Sequence, residues 1–183
     1  MKIVVCIKQV PDTTEIKIDP VKHTLIREGV PSIVNPFDAC ALEMAVRLKE
    51  KEGGKVIVIS MGPAQAKNAL KECLAVGADQ AFLVTDRAFG GSDTLATSYI
   101  LSRAIAAVEA KIGEKFDLIF CGKQAIDGDT AQVGPEIAEH MDLPHVTLAT
   151  AVEMADGKLH VTRDTDEGHD LVEVSLPALV TVT

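Results

Sequence analysis

The chain predicts an α/β fold built on a parallel sheet, and three observations carry that reading. Short apolar runs alternate with stretches of helical periodicity from Lys2 to Leu143; the runs are nearly unbroken in valine, isoleucine and leucine; and turns bearing glycine or proline separate many of the elements. Strands covered by helices on both faces have this pattern, and strand–helix alternation of these lengths implies right-handed crossovers in a Rossmann-like sheet.

Lys2 to Val10 reads as the first strand, with Pro11 closing it because proline cannot continue a central ladder. Asp12 to Val34 has only a weak pattern and reads as a hairpin-like excursion from the main sheet. Asn35-Pro36-Phe37-Asp38 punctuates the chain, with Asn35 or Asp38 as a helix cap before Leu42, Ala45, Val46 and Lys49 at helical spacing, and Gly53-Gly54 ends that helix. Lys55 to Ser60 is the second strand. Met61-Gly62-Pro63 turns it into a helix with Ala66, Ala69, Leu70, Cys73 and Leu74 on one face. Gln80 to Val84 is the third strand, and Gly90-Gly91-Ser92-Asp93-Thr94 introduces a long helix whose inner face is Leu101, Ala104, Ile105, Val108 and Ile112.

The most informative stretch is Phe116 to Leu143. An apolar strand, Asp117 to Cys121, runs into a polar loop with Gly122 and Gly128 and then into a helix with Gly134, Ile137, Ala138 and Met141 on one stripe. That helix starts either at Thr130, capped by Asp129, or at Pro135. In both cases its unpaired backbone N–H groups and its dipole favour a phosphate, while Lys123, Gln124, Thr130 and Gln132 supply donors. A plainer reading also fits: Asp127, Asp129 and Thr130 only tighten a turn. Beyond Pro144 the pattern becomes alternating, HVTLATAVEM, KLHVTRDTD, DLVEVS and ALVTVT, with Asp156-Gly157 as a hairpin turn, and predicts an antiparallel meander. Arg163 to Glu167 reads as a solvated loop, and His145, His160 and His169 as surface residues.

Length and charge exclude several classes. With 183 residues the chain fits one domain that can bury a core without staples. Its net charge of −9 opposes a nucleic-acid or anionic-membrane partner. Cys6, Cys40, Cys73 and Cys121 are too far apart for a metal knuckle or a CxxC pair and read as buried thiols of a reducing compartment. No run reaches membrane-spanning length and the start resembles no leader, so the expected location is cytoplasmic.

The segment GKQAIDGDTAQVGPEIAEHMDLP resembles, nearly residue for residue, the nucleotide-binding segment of the electron transfer flavoprotein β subunit. VVCIKQVPDT, VNPFDACALEMAVRLKE and SMGPAQAKNALKECLAVGAD extend the likeness in the family's order over essentially the whole chain. The resemblance implies a fold like that of the adenine nucleotide α hydrolases: one nucleotide-binding domain over residues 1–183, with a parallel α/β core at 1–144 and an antiparallel extension at 145–183. The family's β subunits continue beyond the position of Thr183 into a loop that recognises partner dehydrogenases and an arm that wraps the α subunit, so a fragment lacking both is implied.

The resemblance further implies an adenine-nucleotide pocket formed by Cys6, Asn35, Pro36, Phe37, Asp38, Met61, Gly122, Lys123, Gln124, Ala125, Ile126, Asp127, Gly128, Asp129, Thr130, Ala131, Gln132 and Val133. Plainer roles stand beside these: helix capping for Asn35 and Asp38, core packing for Cys6 and Met61. β subunits that hold a structural AMP tend to read DDD, then Asn and Thr-Gly-Gln, whereas this chain reads Asp127-Gly128-Asp129-Thr130-Ala131-Gln132-Val133-Gly134-Pro135. That form is similar to electron-bifurcating members, which implies FAD, with AMP as the alternative. Implied partners are the α subunit, an acyl-CoA dehydrogenase, and, for bifurcation, NADH with a ferredoxin or flavodoxin. No residue looks like a nucleophile, general base or metal ligand. An ATP pyrophosphatase would carry its SGGxDS-like loop after the first strand, and a Rossmann dehydrogenase would need GxGxxG; neither is present.

Overall fold

A computed structural model describes residues 1–12 and 31–183. Its centre is an eight-stranded sheet in the order β5-β4-β1-β6-β10-β7-β8-β9. The strands are β1 (Lys2–Cys6), β4 (Lys55–Met61), β5 (Gln80–Val84), β6 (Leu118–Gly122), β7 (His145–Ala155), β8 (Lys158–Thr165), β9 (Gly168–Val174) and β10 (Ala178–Val182). β2 (Gln9–Pro11) and β3 (Ser32–Val34) form a separate antiparallel ribbon. The helices are α1 (Pro36–Glu52), α2 (Lys67–Val76), α3 (Thr94–Ile112) and α4 (Val133–Met141).

β1 sits between β4 and β6 and is parallel to both. Ile3, Val4, Val5, Val56, Val58, Ile59, Leu118 and Phe120 are fully buried, as the unbroken apolar runs require of strands covered on both faces. One apolar layer joins Ala41, Leu42 and Ala45 of α1 and Leu70 and Cys73 of α2 to one face of the sheet. The opposite layer is built from Leu101, Ile105 and Val108 of α3 and Ile137 and Ala138 of α4. On α2, Ala66 at its start and Ala69, Leu70 and Cys73 are buried as expected, but Leu74 is exposed.

Several expectations are corrected. The first strand does not run to Val10: β1 ends at Cys6, and the Lys8 N–H donates to the Asp38 carboxylate instead of to a neighbouring strand. The Asp12 to Val34 excursion is bounded by the paired β2 and β3, while residues 13–30 of it lie outside the described residues. α4 starts at Val133, between the two expected starts. Arg163, Asp164 and Thr165 belong to β8 rather than to a loop. Cys40 is exposed on α1, whereas Cys6, Cys73 and Cys121 are buried.

The antiparallel region is β7-β8-β9, with Asp156 and Gly157 at positive φ in the expected turn. The last strand departs from the meander: β10 returns to the centre of the sheet and lies parallel between β6 and β7. All five of its residues are buried. Its one polar side chain, Thr181, accepts the Leu148 N–H at 3.2 Å, which is how a threonine is accommodated in a central strand. β7 changes partner at a register shift next to Leu148, where φ is 61°, pairing first with β10 and then with β8.

Candidate functional site

Strand order reverses between β1 and β6. After β1 the chain enters α1 on one face of the sheet; after β6 it enters α4 on the other. The two loops diverge there and leave a crevice at the carboxyl ends of the strands, the place where open α/β sheets bind ligands.

The residues singled out in the sequence converge on that crevice from both sides. Gly122 ends β6 against the first turn of α1. A Cβ at Gly122 would lie 2.7 Å from both the Asp38 nitrogen and the Phe37 carbonyl carbon, so only glycine allows this approach. Asp38 fixes the junction: its carboxylate accepts the Lys8 N–H at 2.7 Å and the Gly122 N–H at 3.0 Å, tying the ends of β1 and β6 to α1. Burial pushes the Asp38 carboxyl up to about 7, opposed by those two backbone donors, the Asn35 side chain and the Lys8 charge.

Asn35 occupies the N-cap position of α1, yet its side chain makes no capping bond. Being 1% exposed, it reaches across the crevice: Nδ2 donates to the Gln124 carbonyl at 2.8 Å, and Oδ1 accepts the Ile126 N–H at 3.1 Å. The loop hung from Asn35 turns tightly, with the Gly128 N–H donating to the Ala125 carbonyl at 3.3 Å. Lys123 lies 4.8 Å from the centre of the Phe37 ring, a cation–π contact that adds a second link to α1. Asp127 is paired with Lys8, Nζ to Oδ1 2.5 Å.

Past Gly128 the loop is exposed through Gln132, and Ala131 takes a left-handed φ of 55° immediately before α4. α4 has no side-chain cap, unlike α3, where Asp93 accepts the Ala96 N–H. The N–H groups of Val133 and Gly134 in its first turn are thus without a side-chain acceptor and point the positive end of the helix at the loop. Gly134 lets the helix approach closely, since a Cβ there would be 2.5 Å from Cγ2 of Thr181. Met61 ends β4, partly buried against the apolar layer of α3 and α4. Cys6 and Cys121 are register partners on adjacent strands and both face that same layer. The hydrogen bond with the neighbouring Cys6 thiol, and then burial, push the Cys121 thiol well above its ordinary value.

The structure therefore brings together Asn35, Phe37, Asp38 and Gly122 through Asp127. It leaves the side chains of Asp129, Thr130 and Gln132 exposed at the rim, and Cys6 and Met61 within or against the core. Lys8 joins the group although the sequence reading did not single it out. Its one mark in the sequence is that it directly follows the apolar run Ile3 to Ile7 as the first charged residue beyond it. A separate cavity of about 260 Å³, lined by Tyr99 and Arg103 of α3, Lys115, and His140 of α4 among others, contains none of these residues.

The fold defines an α/β protein with a crevice at the switch point of a mainly parallel sheet. The model of the Electron transfer flavoprotein domain matches residues 22–183. The chain is 59% identical over 181 residues to the electron transfer flavoprotein subunit beta of Thermoanaerobacterium thermosaccharolyticum, covering 99% of this chain and 67% of that protein. It is 54% identical over 182 residues to the caffeyl-CoA reductase-Etf complex subunit CarD of Acetobacterium woodii, covering 99% of this chain and 68% of that protein. It is also 54% identical over 187 residues to protein FixA of Azotobacter vinelandii, covering 100% of this chain and 65% of that protein. The chain belongs to the electron transfer flavoprotein family, as a β subunit. It spans about two thirds of the length of these relatives. Its role is electron transfer, and β subunits of this family act paired with an α subunit. Among the described residues no helix is long and apolar enough to cross a membrane.

Proposed function

We propose that the crevice between β1 and β6 holds FAD, with AMP as the alternative, and that the protein passes electrons through that flavin. The proposed pocket is Cys6, Asn35 to Asp38, Met61 and Gly122 to Val133. The observation that carries the reading is the loop Gly122 to Val133, held by Asn35 and delivered to an uncapped helix end at α4. Its chemistry fits a diphosphate: Lys123 places a cation beside the loop, and the first turn of α4 supplies free N–H groups. Within this pocket Asn35 and Asp38 act by fixing backbone rather than by touching the nucleotide, since loop and strand-end groups already engage their side chains.

FAD is favoured over AMP at Gly128. A Cβ built there meets nothing within 4 Å, so the loop leaves open space where AMP-holding β subunits tend to carry an aspartate. When bound, the flavin would supply the redox chemistry, accepting a hydride from NADH and passing single electrons onward. The partners proposed are the α subunit, an acyl-CoA dehydrogenase as electron exchanger, and a ferredoxin or flavodoxin as low-potential acceptor. Four free cysteines support a reducing, cytoplasmic setting. The chain is read as one nucleotide-binding domain.

Gly128→Asp tests the assignment cleanly, because the new side chain has room in the protein. It is expected to weaken FAD binding by roughly tenfold or more, through added bulk and negative charge beside the phosphates, while AMP binding changes little. Equal loss of both, or no loss of FAD, would remove Gly128 as the discriminator.

A further inference from the structure

The loop proposed to take phosphates carries one lysine and two aspartates between Gly122 and Val133, a net negative charge at a site meant for an anion. Uncompensated, Asp127 would repel the ligand. The structure resolves the conflict from another element: Asp127 is partly buried, its side chain 17% exposed, and its Oδ1 is 2.5 Å from Nζ of the half-exposed Lys8.

Lys8 is unusually well placed for this. Its N–H is taken by Asp38 Oδ2 at 2.7 Å, and its carbonyl accepts the Asn35 N–H at 2.9 Å. Asn35 in turn holds the carbonyl of Gln124 and the N–H of Ile126, the residue next to Asp127. The backbone at both ends of the Lys8–Asp127 pair is thus held by Asn35 and Asp38, which sets the two side chains within reach of each other. By contrast, Lys123 is engaged over the Phe37 ring.

We propose that Lys8 is a positioning residue for the nucleotide: it neutralises Asp127 and pins the Gly122 to Val133 loop, so that an acidic loop accepts an anion. The inference rests on the nucleotide-site reading above and specifies how that site tolerates its own charge. It makes a distinction that a direct phosphate contact does not. If Lys8 acts through Asp127, removing the Asp127 charge should repair the loss of Lys8.

The test is a titration of the purified, nucleotide-stripped protein with FAD, read by flavin fluorescence, for wild type, Lys8→Met, Asp127→Asn and Lys8→Met/Asp127→Asn. Amide hydrogen exchange over residues 123–132 without ligand is the second readout. Lys8→Met is expected to weaken FAD by roughly tenfold and to speed exchange in the loop, while thermal unfolding stays cooperative. The double variant should bind within about threefold of Asp127→Asn alone. A double variant as weak as Lys8→Met would mean that Lys8 touches the ligand directly, and unchanged FAD affinity in Lys8→Met would remove any role; either result overturns the proposal. Wild-type protein that binds neither FAD nor AMP would overturn the underlying site reading, and the Lys8 inference with it.

Discussion

Replacing Gly122 by alanine should destabilise the protein by about 3 kcal/mol or more. The added Cβ would lie 2.7 Å from the Asp38 nitrogen and the Phe37 carbonyl carbon, both backbone atoms of the first turn of α1. Neither can rotate away, so β6 and α1 must separate. Separation stretches the bond from the Gly122 N–H to Asp38 and, through Asn35, the attachment of the loop. Gly128→Ala is the natural control, because its Cβ meets nothing, and it should fall within about 0.5 kcal/mol of wild type. Urea unfolding of both variants decides the matter. If Gly122→Ala were as stable as Gly128→Ala, the close packing of α1 on β6 would be wrong.

The second large effect is a pH dependence centred on Asp38. Burial raises its carboxyl from 3.8 to about 7. The native state therefore holds this proton more tightly than the unfolded chain does. Between pH 4 and 7 unfolding releases the proton, so the contribution of Asp38 to stability falls as pH rises through that window and is level above it. A shift of this size corresponds to a loss on the order of 4 kcal/mol between the two limits. Asp38→Asn cannot titrate. It also cannot accept both the Lys8 and Gly122 N–H groups, because its amide nitrogen is a donor. The variant should be less stable than wild type near pH 5, and the gap should shrink as the pH approaches 8. Denaturant unfolding of the two proteins across pH 5 to 8 checks this, and parallel profiles would contradict it.

Both effects arise where the sequence was most and least legible. Gly122, Asn35, Asp38 and the loop up to Val133 could be singled out from residue types and from their likeness to a known segment. What they do to one another could not. Asn35 looked like a helix cap because it precedes Pro36, and only the fold shows its side chain spent on Gln124 and Ile126 across the crevice. Lys8 escaped notice for a related reason. Its partner is 119 residues away, and a charge pair at that separation leaves no local pattern.

The sheet shows the same division. β4 and β5 follow from unbroken apolar runs, and the Asp156-Gly157 hairpin follows from turn chemistry. β10 does not, because ALVTV is equally consistent with an alternating edge strand and a buried central one. Its place between β6 and β7 is set by long-range pairing with both, where Thr181 is accommodated by accepting the Leu148 N–H. Cys40 was misjudged because apolar neighbours in sequence do not fix which side of a helix faces the sheet.

The most direct measurement of the central claim is cofactor content. The β subunit, purified together with its α partner, would be denatured and the released FAD and AMP counted per heterodimer. The crevice at β1 and β6 as a flavin site requires two FAD and no AMP. One FAD with one AMP would assign this pocket a structural nucleotide and leave the flavin chemistry to the partner.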